Sequence, residues 1–181
     1  AKNVPQYKKE RYFKESSFFL EWVLNEFCKL KISNKDTKNL LKNLNIIVNN
    51  INHKTNKLVH RDYHSKNLFF AQDETVIIDY QDAMYGSPLY DFVSLVNDCY
   101  RDIDENSLIF FKNFFIDGMN DNNRYNFSHD EFFHNFNLIS AQRHLKASGI
   151  FCRLSVKFNR HNYLQHLRRT LGYIVHATSN Y

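Results

Sequence analysis

Apolar side chains recur at helical spacing along most of this chain. In the first segment they stand mostly three or four positions apart, which predicts one amphipathic helix with the stripe Tyr12, Phe19, Trp22, Val23, Phe27 and Leu30. Ser33 and Asn34 indicate the end of that helix and the cap of a second one. The second stripe runs from Leu40 to Ile51. Both stripes are expected to face a hydrophobic core.

Two further helices are predicted after position 86. Gly86-Ser87-Pro88 precedes the first of them, which carries Asp91 in its first turn, where the helix dipole favours a carboxylate. Its inner face is expected to contain Phe92, Leu95, Val96 and Cys99. An aromatic helix over 108–115 is expected to stop at Asp117-Gly118, before a polar linker at 120–126.

The last third of the chain is also helical by its pattern. Ser128 and Glu131 have the spacing of a capping box, and they predict the start of a long helix. The pattern allows either one helix or a pair of helices divided at Gly149. A final helix is predicted by the apolar stripe Tyr163, Leu164, Leu167, Leu171, Ile174 and Val175.

Only the region between positions 58 and 91 departs from the helical pattern. Two short strands are predicted at 68–71 and 76–78, joined by a tight polar turn at 72–74. We therefore expect a mainly α fold with a small β-hairpin, formed as a single domain over 1–181. With 181 residues, of which 43% are hydrophobic and 16% aromatic, the chain can bury a core of its own.

The cysteines and the hydropathy of the chain indicate the cellular compartment in which the protein is expected. Cys28, Cys99 and Cys152 lie far apart and lack a C-x-x-C pair, so neither a disulfide framework nor a zinc site is predicted. They are expected to be small buried side chains in a reducing compartment. The apolar runs are shorter than the roughly 20 residues that cross a bilayer, so we expect a cytoplasmic protein without a membrane partner.

Charge is divided along the chain. Residues 1–57 hold 12 Lys and Arg against 5 Asp and Glu, whereas residues 71–131 hold 3 against 13. Residues 143–169 then carry seven basic and no acidic side chains. No motif of a nucleic-acid-binding domain accompanies this pattern, and no nucleic-acid partner is expected. The basic segments indicate solvated helix faces and some attraction for an anionic substrate.

The candidate chemistry lies in the loop at 58–70. His60-Arg61-Asp62 is followed by Asn67, which matches the kinase catalytic-loop pattern H-R-D-x-x-x-x-N, and Asp79 follows the second predicted strand. Phosphoryl transfer requires a carboxylate that orients the acceptor hydroxyl, and oxygen ligands for magnesium. Asp62 fits the first role, and Asn67 with Asp79 fits the second. An isolated His-x-Asp is common in turns, but the complete set predicts phosphoryl transfer.

With these residues in hand, the chain resembles the C-terminal lobe of the aminoglycoside phosphotransferase and choline kinase superfamily. His64, two residues after Asp62, is typical of that group. Within it, the chain looks most similar to the bacterial anomeric amino-sugar kinases, through the stretches HRDYHSKNL, IDYQDAMYGSPLYDFVSLVNDCY, FLEW and QRHLKASGIFCRL. Those enzymes phosphorylate the C1 hydroxyl of N-acetylmuramate and N-acetylglucosamine in cell-wall recycling.

The resemblance implies a protein-kinase-like fold, ATP and Mg2+ as cofactors, and an amino sugar as substrate. It also implies roles for individual residues: Asp62 as catalytic base, Asn67 and Asp79 as metal ligands in the segment 76–91, His64 and Lys66 near the phosphoryl group, and His60 and Asp91 as supports of the loop. Asp82 and Arg143 are candidates for substrate binding. For Arg143 the alternative is an exposed helix charge.

The resemblance covers only half of such an enzyme, because nothing here resembles the N-terminal lobe with its phosphate-covering loop and ATP-binding lysine. We therefore expect a fragment that folds but has little kinase activity alone, with an open cleft that could form a homodimer. Another acceptor (an aminoglycoside, choline, thiamine or homoserine) and a non-catalytic binding domain remain alternatives. The basic segment 143–169 favours an anionic sugar.

Overall fold

The computed structural model describes residues 4–51, 57–121 and 128–179, which are mostly helical. The α-helices are α1 (Lys9–Ser16), α2 (Asn34–Asn50), α3 (Pro88–Val96), α4 (Glu105–Asp121), α5 (His129–Phe158) and α6 (Leu167–Thr178). A π-helix spans Phe19–Phe27, and short 3-10 helices span Ser65–Asn67 and His161–His166. The strands are β1 (Lys57–Val59), β2 (Leu68–Ala71), β3 (Glu74–Ile77) and β4 (Met84–Gly86). The predicted mainly α fold is confirmed.

The predicted hairpin is present as β2 and β3. The two strands are antiparallel, with Leu68 opposite Ile77 and Ala71 opposite Glu74. Gln72 and Asp73 form the turn with φ angles of 52° and 62°, the left-handed conformation that two-residue hairpin turns require. The turn is thus one residue shorter than expected, and Glu74 belongs to the second strand.

A second pair of strands was not predicted. Strands β1 and β4 are antiparallel and three residues long, with Val59 opposite Met84. Strands this short show no detectable alternation of apolar and polar positions. The pair joins the start of the 58–70 loop to the segment before α3, and so fixes both ends of the region that carries the candidate chemistry.

Helix α5 passes through the centre of the molecule. Its first turn has the predicted capping box, in which Ser128 and Glu131 each bond to the other's backbone amide. Of the two alternatives for this region, the structure has the single helix, since α5 continues without interruption through Gly149 to Phe158. A Cβ at Gly149 would lie 2.5 Å from the Cβ of Phe18. This glycine therefore permits a close helix contact instead of ending the helix.

The first predicted helix is divided in two. Helix α1 ends at Ser16, and the π-helix begins three residues later. Tyr12 and Val23 are buried as expected, but Phe27 and Leu30 are exposed. The prediction of one continuous amphipathic helix is therefore wrong. Ser33 caps α2 by accepting a hydrogen bond from the backbone of Asp36, as predicted.

Helices α3 and α4 belong to the acidic part of the chain, and both pack beside α5. Cys99 lies beyond the end of α3, and the fully buried positions of that helix include Leu89 and Val93. The predicted stop at Asp117-Gly118 is wrong, because α4 continues to Asp121. No atom lies within 4 Å of a Cβ built on Gly118. Of the expected linker, 120 and 121 belong to α4, and 122–126 lie outside the described residues.

All three cysteines are free thiols. Cys99 and Cys152 are buried, as expected, whereas Cys28 is exposed and contradicts the prediction for that position. None of the helices in the described ranges combines the length and the apolar character needed to cross a membrane.

Candidate active site

The carboxylate of Asp91 anchors the loop that contains Asp62. The backbone amides of His60 and Arg61 donate to its two oxygens, at 2.6 Å and 2.9 Å. Asp91 stands in the first turn of α3, so the loop is attached to a helix of the core. Burial raises the pKa of Asp91, although both amide bonds act in the opposite direction.

The His60 ring joins this loop to the end of the hairpin. Its Nε2 lies 2.8 Å from the carbonyl oxygen of Ile78, and its Nδ1 accepts a hydrogen bond from the backbone amide of Asp62 at 3.3 Å. A neutral ring protonated on Nε2 satisfies both contacts. His60 thereby fixes the residue before Asp79 relative to Asp62.

A hydrogen bond between backbone groups brings Asn67 close to Asp79. The amide of Ile78 donates to the carbonyl oxygen of Asn67 at 3.1 Å. The Asn67 side-chain amide donates to the carbonyl oxygen of Asp62 at 2.9 Å, which leaves its Oδ1 available as a ligand. Asp79 adopts a left-handed backbone with φ of 67°, and its Oδ1 accepts from Gln81 at 2.6 Å. Non-glycine residues in this conformation are often found at functional sites.

A cavity of about 330 Å³ lies next to these groups, and we call it the loop cavity. Its walls include six of the nine predicted site residues: Asp62, His64, Lys66, Asn67, Asp79 and Arg143. Asp82 lies elsewhere, in a second cavity described below. His60 and Asp91 line neither cavity and contact the loop backbone instead. Residues from the loop, the end of the hairpin and α5 thus converge on one space.

Arg143 is buried on α5 and is not the exposed helix charge that was the alternative. Only 5% of its surface is accessible. Its Nε donates to Ser94 Oγ at 2.6 Å, and its Nη1 lies 3.8 Å from Cys99 Sγ. Burial and the adjacent guanidinium lower the pKa of His144 to about 3, so that imidazole is neutral. No carboxylate pairs with Arg143 among the described residues.

His64 and Lys66 are positioned by aromatic rings. The His64 ring lies edge-on to Tyr100, with centroids 4.9 Å apart, and its buried Nδ1 has no hydrogen-bond partner. Burial and the nearby Arg143 lower the pKa of His64, which favours the neutral ring. Lys66 Nζ lies 3.9 Å from the centre of the Tyr100 ring. The same tyrosine therefore supports both side chains.

Sequence patterns did not identify the ionic cluster behind Asp62. Lys146 Nζ lies 3.5 Å from Asp62 Oδ1 and 3.9 Å from Glu15 Oε2. Arg61 pairs with the other oxygen of Glu15. Glu15, Arg61 and Lys146 are all buried, and they come from α1, the loop and α5. The only sequence signal was a lysine on the core-facing part of the QRHLK stretch.

This cluster keeps Asp62 ionised. Burial alone would raise the pKa of Asp62, but the charges of Lys146, Arg143 and Arg61 outweigh it, and the pKa is lower than usual. The same balance lowers the pKa of Glu15, where Lys146 and Arg61 oppose the effect of burial. The Asp62 side chain is 38% exposed, against 8% for Glu15. Asp62 therefore presents a charged carboxylate to a cavity, whereas Glu15 is internal.

A second cavity of about 680 Å³ adjoins the first one between α1 and α5, and we call it the α1–α5 cavity. Asp62, Arg61, Lys146 and Ile150 line both cavities. Asp82 lines only this second one. Asp62 thus stands in the wall that separates the two spaces.

Three relatives with curated names cover nearly all of this chain. Each is named N-acetylmuramate/N-acetylglucosamine kinase. The protein from Neisseria meningitidis is 26% identical over 98% of the chain, that from Pseudomonas aeruginosa 24% over 97%, and that from Pseudomonas putida 24% over 94%. The alignments cover 54%, 52% and 51% of those proteins. The chain therefore spans about half the length of the curated relatives it matches.

The family comparison covers the loop and hairpin part of the site, but not the residues that α5 contributes. Residues 5–117 match the phosphotransferase enzyme family, and this range includes the catalytic-loop pattern, the hairpin, Asp79 and the helix that anchors the loop. The match extends over more than half of the chain and agrees with the names of the three relatives. On this evidence the chain belongs to the phosphotransferase enzyme family.

Proposed function

We propose that this chain is part of a kinase that transfers the γ-phosphoryl group of ATP to an amino sugar, at the anomeric hydroxyl of N-acetylmuramate or N-acetylglucosamine. The observation that carries the proposal is the convergence of Asp62, Asn67 and Asp79 on the loop cavity. The names of the relatives supply the class of acceptor.

In this mechanism Asp62 is the base that accepts the proton of the sugar hydroxyl. A general base must be ionised and within reach of the proton that it takes. The lowered pKa of Asp62 meets the first condition, and its exposure to both cavities meets the second. Lys146 holds one carboxylate oxygen and leaves the other for the acceptor.

Asn67 and Asp79 are the proposed ligands of magnesium. Magnesium prefers hard oxygen ligands and usually keeps several from water and substrate phosphates. The side-chain oxygen of Asn67 has no hydrogen bond within the described residues, because its amide group is the part bound to Asp62. Asp79 supplies a carboxylate from an exposed position at the end of the hairpin. When bound, the metal neutralises charge on the phosphate oxygens.

The cations of the loop cavity are the proposed contacts of the transferred phosphoryl group. Arg143 and Lys66 both line that cavity, and neither forms an ion pair within the described part of the chain. A guanidinium fixed by Ser94 is preorganised for charge that develops during transfer. His64, neutral at physiological pH, would donate or accept a hydrogen bond there.

We further propose that the chain, as one domain over 1–181, is the C-terminal lobe of a protein-kinase-like fold, and that ATP takes its remaining contacts from another part of a longer protein. The hairpin supports this assignment, because several apolar side chains near Asp79 are exposed: Phe69, Phe70, Val76, Ile77, Ile78 and Tyr80. Such a patch marks an interaction surface. A second copy of the chain on this surface stays a prediction.

A transfer assay with the full-length protein tests this function. ATP, magnesium and either sugar should yield a sugar 1-phosphate, detectable by phosphorus NMR. In Asp62→Asn the turnover should fall by about 10² to 10⁴-fold, while calorimetry should show unchanged ATP affinity. Asp102→Asn, which alters a 76% exposed carboxylate, is the matched control. Turnover in Asp62→Asn equal to that of the control would remove Asp62 from the mechanism.

A further inference from the structure

We propose that the α1–α5 cavity is the acceptor subsite and that Arg153 binds a carboxylate of an acidic sugar there. This inference rests on the proposed kinase function and adds the location of the acceptor and the group that selects it. Arg153 lies on α5, one or two turns beyond Ile150 and Lys146, and all three side chains line the cavity.

The position of Asp62 assigns different roles to the two cavities. The proposed metal ligands Asn67 and Asp79 line the loop cavity and not the α1–α5 cavity. In phosphoryl transfer the attacking and leaving oxygens stand roughly in line on opposite sides of the phosphorus. If the phosphates lie on the metal side of Asp62, the attacking hydroxyl approaches from the other side. That side is the α1–α5 cavity.

The contacts of the Asp62 carboxylate agree with this orientation. Its Oδ1 is close to Lys146, which in turn contacts Glu15. Glu15 lines the α1–α5 cavity and not the loop cavity. With about 680 Å³, this cavity is the larger of the two and lies within the usual range for small-molecule sites, roughly 300 to 1,000 Å³.

Arg153 differs in its ion pairing from three other cations that line the α1–α5 cavity. Arg11 and Arg61 pair with Glu15, and Lys146 pairs with Glu15 and Asp62. Arg153 forms no ion pair in the described ranges, and its Nε is buried without a hydrogen-bond partner.

The neighbours of Arg153 limit its movement but do not neutralise it. Its guanidinium carbon lies 5.7 Å from the ring centre of Trp22 and 6.0 Å from that of Phe158. A guanidinium positioned by aromatic rings keeps its planar donors for a carboxylate, which it binds with two parallel hydrogen bonds. Lys14 is also unpaired within the described part of the chain, but it is exposed, where an ion pair contributes little.

The carboxyl groups of the α1–α5 cavity are suited to bind the hydroxyl groups of an acidic sugar. Glu10 and Asp82 line the cavity and form no ion pair within the described residues. Carboxylates accept hydrogen bonds from sugar hydroxyls and repel another carboxylate. A ligand that combines hydroxyls with one carboxylate therefore matches the cavity, with its carboxylate directed to Arg153.

The test compares two sugars and two variants of the full-length protein. N-acetylmuramate carries a carboxylate that N-acetylglucosamine lacks. Arg153→Gln should lower kcat/KM for N-acetylmuramate by about tenfold or more, mainly through KM, because one charged hydrogen-bonded contact is lost. The value for N-acetylglucosamine should change by less than about twofold. Arg168→Gln, which removes an exposed arginine of α6, should leave both values unchanged.

Equal losses for both sugars, or no loss for either, would overturn the assignment of Arg153 while leaving the kinase function intact. If the wild-type protein phosphorylates neither sugar, the proposed function fails instead. Calorimetric titration of both sugars without ATP then still decides the present proposal. Binding of N-acetylmuramate that is weakened by Arg153→Gln and not by Arg168→Gln supports it, and the absence of such a difference overturns it.

Discussion

The two sides of Asp62 are built in different ways. On the loop side, His60, Asn67 and Asp79 lie within twenty positions of one another and are held by backbone hydrogen bonds. On the α1–α5 side, Glu15 and Lys146 come from helices far apart in sequence and are held by buried ion pairs with Arg61 and Asp62. The loop side holds the proposed reacting groups, and on the α1–α5 side Lys146 and Arg61 help to lower the pKa of Asp62.

This difference predicts separable effects of mutation. Asp79 is exposed at the end of a hairpin, so its loss should change activity and leave the fold intact. Glu15 is buried and pairs with three cations, of which Arg61 and Lys146 are themselves buried, so its loss should lower the stability of the whole domain. Measurements of the free energy of unfolding and of turnover, for variants on both sides of Asp62, test this difference.

The largest effect on stability is expected for Glu15→Gln. The substitution leaves Arg61 and Lys146 buried with less compensation, and breaking a buried ion pair typically costs about 3 to 5 kcal/mol. Urea denaturation should show this loss as a lower midpoint with an unchanged slope. The control is Glu26→Gln, which removes only the exposed pair with Lys29 and should cost at most about 1 kcal/mol.

The pH dependence gives a second readout for the same variant. The pKa of Glu15 is lower in the folded protein than in a free glutamate. Its contribution to stability is therefore present above the ordinary glutamate pKa and is lost as the pH falls through the folded-state value. Glu15→Gln should lack this part of the acid dependence. If both glutamate variants show the wild-type midpoint and pH profile, Glu15 does not organise the α1–α5 side.

Asp79→Asn should produce the next largest effect, on activity alone. Asparagine tolerates the left-handed backbone of Asp79, so the variant removes the charge of a proposed metal ligand without adding strain. The rate should fall by at least about hundredfold, and the magnesium concentration for half-maximal nucleotide binding should rise. Asp73→Asn is matched to it, because Asp73 has a similar φ of 62° in the hairpin turn. A magnesium titration that is identical in both variants would contradict the metal assignment.

The same contrast explains which parts of the molecule could be predicted from the sequence. The catalytic-loop pattern, the hairpin and the capping box at Ser128 are local, and their spacing in the sequence is enough to predict them. The loop-side residues could therefore be proposed from the sequence alone. The contacts of Glu15 and Lys146 span 131 positions, and no periodic pattern links an acidic residue on one helix to a basic residue on another.

Among the sequence signals, glycine was the least reliable for locating the ends of helices, because its role depends on tertiary contacts. Gly118 was expected to end a helix, and Gly149 left open whether one helix or two were present; both glycines lie inside a helix. A single glycine weakens an exposed helix by about 1 kcal/mol relative to alanine, which a long helix tolerates. Only the packed structure distinguishes a glycine that allows close contact from one that faces solvent.

The smallest predicted effect tests this distinction next to the α1–α5 side. Alanine at Gly149 would place its Cβ 2.5 Å from Phe18 Cβ and 2.7 Å from the Phe18 carbonyl oxygen. The chain at Phe18, where the π-helix begins, must therefore move away from α5, at a cost of about 1 to 3 kcal/mol. Gly118→Ala meets no atom within 4 Å and should stabilise α4 by about 0.5 to 1 kcal/mol. Thermal unfolding should therefore shift in opposite directions in the two variants. Since Phe18 and Ile150 line the α1–α5 cavity, Gly149→Ala should also raise KM for the sugar while leaving that for ATP unchanged. A shift of the unfolding temperature without a change in KM would show that the spacing at Gly149 controls stability but not the proposed acceptor subsite.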